Sequence, residues 1–152
     1  LPDTQLPDTQ LPDTQLPSVQ EFPDRNILIY DGDCRFCLSQ VSKIAKWDTE
    51  TFLAFVALQD PLVAVRFPDL THEMLMKEMY LVTVDGKRHP GIEAVRTMAS
   101  HLPRLKWLGF WFRIPFSLSI SRFAYRTIAR CRYRLWGRVN RCEHGTCDIH
   151  FR

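Results

Sequence analysis

No run of about 20 apolar residues occurs in this 152-residue chain, so nothing in it reads as a membrane-spanning helix. The chain does not open on a positively charged stretch followed by an apolar core, so no secretory signal is expected and the predicted location is cytoplasmic. Five cysteines in a reducing compartment suit catalytic or metal-binding roles better than a structural disulfide framework. Acidic residues are missing altogether between Arg104 and Arg141, where ten Lys or Arg fall; elsewhere ten basic residues stand against seventeen acidic ones. The formal charge of +3 therefore conceals a strongly basic segment and an acidic remainder. No recognised nucleic-acid-binding motif accompanies that segment.

What is present divides the chain into three parts. Leu-Pro-Asp-Thr-Gln occurs three times from Leu1 to Gln15 and decays into Leu16-Pro17-Ser18-Val19-Gln20. A proline at every fifth position blocks helix and sheet ladders, so residues 1–25 are expected to form a disordered or partly extended leader. Residues 26–137, in a chain that is 45% hydrophobic, can build one domain with a core. Residues 138–152 make a tail that holds Cys and His.

The chemistry concentrates where the apolar run Ile27 to Tyr30 passes through Asp31-Gly32-Asp33 into Cys34-Arg35-Phe36-Cys37. Cys34, Cys37, Val41, Ile44 and Ala45 recur on one face, which predicts a helix from Cys34 to Trp47. A Cys-x-x-Cys at a helix start points to thiol-disulfide exchange, because unpaired backbone N–H groups and the helix dipole there stabilise a thiolate. Cys34 is expected at an exposed helix tip as the nucleophile. Cys37 is expected one turn further in, shielded, as the resolving thiol. Arg35 favours the Cys34 thiolate while Asp31 and Asp33 oppose it, which leaves the sign of its pKa shift open. Asp33 is expected to cap the helix, and Asp31 either shapes the turn or accepts the Cys37 proton during resolution. The competing view is a pair of inert buried thiols.

The string Tyr30-Asp31-Gly32-Asp33-Cys34-x-x-Cys37 resembles the signature of the DCC family of thiol-disulfide oxidoreductases, named for its aspartate and two cysteines. The likeness continues through Leu58-Gln59-Asp60-Pro61, Val84-Asp85-Gly86, Gly91-x-Glu93-Ala94 and a Tyr- and Arg-rich helix around Tyr125 to Leu135. It covers roughly Asn26 to Gly137. The resemblance implies a thioredoxin-like α/β fold, a mixed sheet with flanking helices and here a C-terminal helical extension. It also implies a dithiol redox role. The expected partners are a protein or small-molecule disulfide or thiol substrate and an electron donor, and no cofactor is expected. One departure stands out: thioredoxins place a cis-proline before the third core strand, where this chain has Lys77-Glu78-Met79.

The pattern supplies the same order of elements. Ile27 to Tyr30 and Thr51 to Ala57 read as parallel strands around the Cys34 to Trp47 helix. Short helices follow at Pro61 to Arg66 and Thr71 to Lys77. Met79 to Val84 and Lys87 to His89 read as a hairpin around Asp85-Gly86, and Ile92 to Ser100 as a helix. An aromatic helix, Leu105 to Phe112, is separated by Pro115 from a longer one. In the longer helix Ile120, Ala124, Ile128, Cys131 and Leu135 form an apolar stripe, and Arg122, Arg126, Arg130, Arg134 and Arg138 form a basic one.

Two other functions compete with the dithiol. Cys142, His144, Cys147 and His150 could hold zinc, alone or with Cys34 and Cys37, or Cys142 and Cys147 could form an auxiliary redox pair. The Arg-rich helix, with its interleaved aromatics, could bind nucleic acid or an anionic membrane surface, or simply be a solvated face that covers the acidic part of its own domain.

Overall fold

The computed structural model describes residues 24–138. The repeat leader through residue 23 and the tail from residue 139, with the roles expected of Cys142, His144, Cys147 and His150, lie outside the described residues. Strands β1 (Asn26–Tyr30) and β2 (Leu53–Ala57) flank helix α1 (Arg35–Trp47). Helices α2 (Pro61–Arg66) and α3 (His72–Lys77) lead to the hairpin of β3 (Tyr80–Val82) and β4 (Arg88–Pro90), and α4 (Gly91–His101) follows. A 3-10 turn (Pro103–Leu105), α5 (Lys106–Trp111) and α6 (Ser117–Trp136) complete the described chain.

The connection through α1 forces β1 and β2 to run parallel, with Ile27 opposite Ala54 and Tyr30 opposite Ala57. β3 pairs antiparallel with the other side of β1, and β4 with β3, so the sheet order is β2-β1-β3-β4. Alternation along the strands feeds two apolar layers. Leu28, Tyr30, Leu53, Phe55 and Leu81 pack with Val41 of α1 and with Ala94 and Met98 of α4. Ile27, Ile29, Ala54, Val56 and Val82 pack on the opposite face with Val63 of α2 and Leu75 of α3. This is the expected thioredoxin-like arrangement.

β3 is shorter than the apolar run that predicts it, because side chains capture the backbone at both ends. The Met79 N–H donates to the Tyr125 hydroxyl at 3.2 Å, and the Val84 N–H to Asn26 Oδ1 at 3.0 Å. The reversal between β3 and β4 depends on Gly86, whose φ of +85° lies in the region that favours glycine.

α6 differs from expectation in which face it buries. Ser117 and Arg132 are its most buried positions, with Leu118, Ser121, Tyr125 and Ala129 partly buried; of the expected apolar stripe only Cys131 is partly buried, and Ile120, Ala124, Ile128 and Leu135 are exposed. The cause is polar. α6 packs on α4 and α1, where buried backbone and carboxylate groups need partners, and Tyr125 and Arg132 supply them. Among the described residues no helix is long and apolar enough to cross a membrane.

Candidate active site

β1 delivers Asp31 to the edge of the α1 N-terminus, and a clamp of hydrogen bonds fixes the turn between them. The Asp33 N–H donates to Asp31 Oδ1 at 3.0 Å. Gln59, just beyond β2, accepts from the Gly32 N–H at 3.0 Å through Oε1 and donates through Nε2 to Asp31 Oδ1 at 2.8 Å and Asp33 Oδ2 at 3.2 Å. The Leu58-Gln59-Asp60-Pro61 segment thus belongs to the site, while Asp60 caps α2.

Cys34 itself is the N-cap of α1. Its Sγ accepts from the Cys37 N–H at 3.2 Å. Asp33, expected to cap, is drawn to Gln59 instead. The sulfur therefore sits at the positive end of the helix dipole, in direct contact with one of the amides left over by the helix start.

The expected order of exposure is reversed: Cys34 has 0% of its surface exposed and Cys37 is half-buried. The end of α6 and the segment just after it lie against the motif. Arg138 forms an antiparallel backbone bridge with Cys34, and the Trp136 ring lies 4.5 Å from that of Phe36 within the Cys-x-x-Cys. Both thiols are free.

The two thiols have very different acidities. Cys34 is brought down from 9.0 to about 7, chiefly by a hydrogen bond from the Cys37 thiol. Burial opposes that shift, the Cys37 N–H and Arg132 reinforce it, and the Asp31 charge works against it. Cys37 is pushed well above the ordinary thiol range by its hydrogen bond to Cys34, by burial and by the Cys34 charge, with Arg132 opposing.

Arg132, from α6, completes the site. Its Nη1 donates to Cys37 Sγ at 3.7 Å, and its Nη2 donates to Asp31 Oδ2 at 3.1 Å and to the Met76 carbonyl at 2.6 Å. The Asp31 and Arg132 side chains are 1% and 6% exposed, so theirs is a buried ion pair, and Arg132 Nε has no hydrogen-bond partner among the described residues. Asp31 is thus brought into the site: it shares the Arg132 guanidinium with the Cys37 sulfur, and its charge adds to the rise in the Cys37 pKa. Sequence reasoning missed Arg132 because it stands off the four-residue spacing of Arg122 to Arg138. Its position seven residues after Tyr125, two helical turns along the same face, is the signal that could have found it.

The backbone opposite the cysteines, where a thioredoxin carries its cis-proline, is occupied by α6: Arg132 holds the Met76 carbonyl and Tyr125 the Met79 N–H. Among the described residues no group of three or more His, Cys, Asp or Glu could hold a metal ion. The arrangement can form a thiolate, deliver a second thiol to the same sulfur and close a disulfide.

A family model described as DCC1-like thiol-disulfide oxidoreductase matches residues 28–138. No curated protein and no solved structure matches the chain.

Proposed function

We propose, from the premise that the chain belongs to the DCC1-like thiol-disulfide oxidoreductase family, that Cys34 and Cys37 exchange electrons with a substrate disulfide, Cys34 attacking and Cys37 resolving. The observation that carries this order is the Cys34 sulfur at the helix start, acidified to about 7 while Cys37 keeps its proton. Near neutral pH Cys34, the residue assigned to attack, is partly ionised, and the thiolate is the reactive form.

In the first step Cys34 Sγ bonds to one substrate sulfur, the substrate disulfide breaks, and the other sulfur leaves as a thiolate. Cys34 then no longer carries charge or accepts a hydrogen bond from Cys37. Two of the causes that raise the Cys37 pKa disappear with that step, while Arg132 remains beside the Cys37 sulfur. Cys37 passes its proton through solvent to the departed substrate thiolate and attacks Cys34 Sγ; the mixed disulfide breaks and the second substrate sulfur leaves as a thiolate. The substrate gains two electrons, the dithiol becomes the Cys34–Cys37 disulfide, and a thiol donor resets it. Oxidation of a substrate dithiol is the same sequence reversed. Asp31 is a positioning residue in this scheme, acting on Cys37 through Arg132. Access to Cys34 requires the end of α6 to move aside.

The test is a redox titration of the Cys34–Cys37 couple in graded glutathione buffers, read by thiol labelling and mass spectrometry. A single two-electron transition with an intramolecular disulfide is expected. A pair that remains reduced or glutathionylated at every ratio, and never closes, rejects the proposal.

A further inference from the structure

We propose that α5 and the outer side of α6 form a docking face for the surface of an anionic lipid bilayer, a property separate from the thiol chemistry. Trp107, Phe110, Phe116, Ile120, Phe123 and Leu135 are 70, 71, 81, 60, 75 and 66% exposed. One exposed apolar residue is ordinary, but a succession of large ones along two neighbouring helices marks an interaction surface. The helices are joined locally: α5 and α6 both pack on α4, and Trp111 Nε1 donates to Ser121 Oγ at 3.4 Å.

Charge complementarity selects the occupant. α6 presents exposed Arg126, Arg130 and Arg134, the link from α5 to α6 presents exposed Arg113, and no Asp or Glu lies between Arg104 and Arg141. The domain's own acids take up only part of this charge: Glu93 pairs with Arg122 at 3.0 Å, and Glu78 lies near enough to Arg126 to be influenced by it. Arg130 and Arg134 make no ion pair among the described residues. A second copy docked through the same face would set arginine against arginine with no acid to pair. Nucleic acid would satisfy the arginines and stack on aromatics, but it leaves the aliphatic Ile120, Ile128 and Leu135 unburied. A bilayer interface takes both: lipid phosphates meet the guanidinium groups, and the acyl boundary receives Trp, Phe, Ile and Leu. At 20 residues α6 is about 30 Å long and, being too charged to cross, would lie in the plane of the interface.

The test uses the full chain with vesicles of phosphatidylcholine alone and of phosphatidylcholine mixed with phosphatidylserine, by co-sedimentation and tryptophan emission. Binding with a blue shift is expected on the anionic vesicles only, weakened by salt. Arg130→Glu with Arg134→Glu should lower partitioning at least about tenfold, and Ile120→Ser with Phe123→Ser should lower it comparably. Both variants should still form the Cys34–Cys37 disulfide, which also serves as the check that they fold. No partitioning at low salt overturns the proposal. So does binding to single-stranded DNA that the apolar variant leaves unchanged while vesicle binding is absent, or a dimer by light scattering that the apolar variant dissolves and vesicles do not compete with.

Discussion

The Arg132 guanidinium lies 3.7 Å from the Cys37 sulfur although 95 residues separate them in sequence. The same group pairs with Asp31, at the other end of the motif. The C-terminal helix is therefore part of the candidate site and not an appendage to it, and substitutions in α6 should be felt at the cysteines.

Replacing Arg132 is expected to be costly. Arg132→Met leaves the Asp31 carboxylate buried without its partner, and breaking a buried pair from one side typically costs about 3–5 kcal/mol. Asp31→Asn combined with Arg132→Met leaves no buried charge and should recover part of that loss. Urea denaturation of the reduced proteins measures both. A cost below about 1 kcal/mol for the single substitution would show that water reaches the pair.

The acidity of Cys34 has a direct signature in pH. Its alkylation rate should rise with pH to a half-maximum near 7, well below the ordinary thiol. Cys37→Ala, which removes the hydrogen-bonding thiol but keeps the backbone N–H, should move the midpoint upward. Stability follows the same group. Because the folded pKa is depressed, its contribution is present above the unfolded value of 9.0 and lost as pH falls through about 7. The reduced protein should therefore gain stability from pH 7 toward 9 relative to Cys34→Ser, as urea midpoints would report.

The parts of the fold legible in sequence are those set by local pattern. The unbroken apolar runs of β1 and β2 with α1 between them permit only a parallel pair, and Asp85-Gly86 between β3 and β4 marks the hairpin. The cysteine pair at the α1 start was legible for the same reason, being one short segment. The inward face of α6 was not, because its apolar stripe and its buried residues compete, and the winner depends on polar groups far away in sequence. Only the folded chain brings Asp31 and the Met76 carbonyl to Arg132. The capping residue was ambiguous too: Asp33 and Cys34 are adjacent and both can accept, and Gln59 decides by engaging Asp33.

Occlusion of Cys34 should show as a barrier to labelling that pH does not remove. With the thiol fully covered and the end of α6 bridged to it at Arg138, reaction with a bulky reagent requires local opening. Trp136→Ala removes the ring packed on Phe36 and should accelerate alkylation of Cys34 several-fold while leaving the pH midpoint in place. A shifted midpoint with an unchanged plateau would mean that Trp136 acts on acidity and not on access.

The order of attack can be read from trapped intermediates. If Cys34 attacks and Cys37 resolves, Cys37→Ser leaves the mixed disulfide on Cys34 with no internal thiol to release it, so adducts with disulfide substrates should accumulate. Cys34→Ser should give few, because the remaining Cys37 thiol is held protonated by burial and does not sit at the helix cap. Exposure works in the opposite direction, since Cys37 is the more accessible sulfur, and the experiment thus sets acidity against access. Non-reducing mass spectrometry of both variants after incubation with oxidised glutathione separates the two. Dominant adducts on Cys37 in the Cys34→Ser protein would make access the deciding factor and exchange the assigned roles.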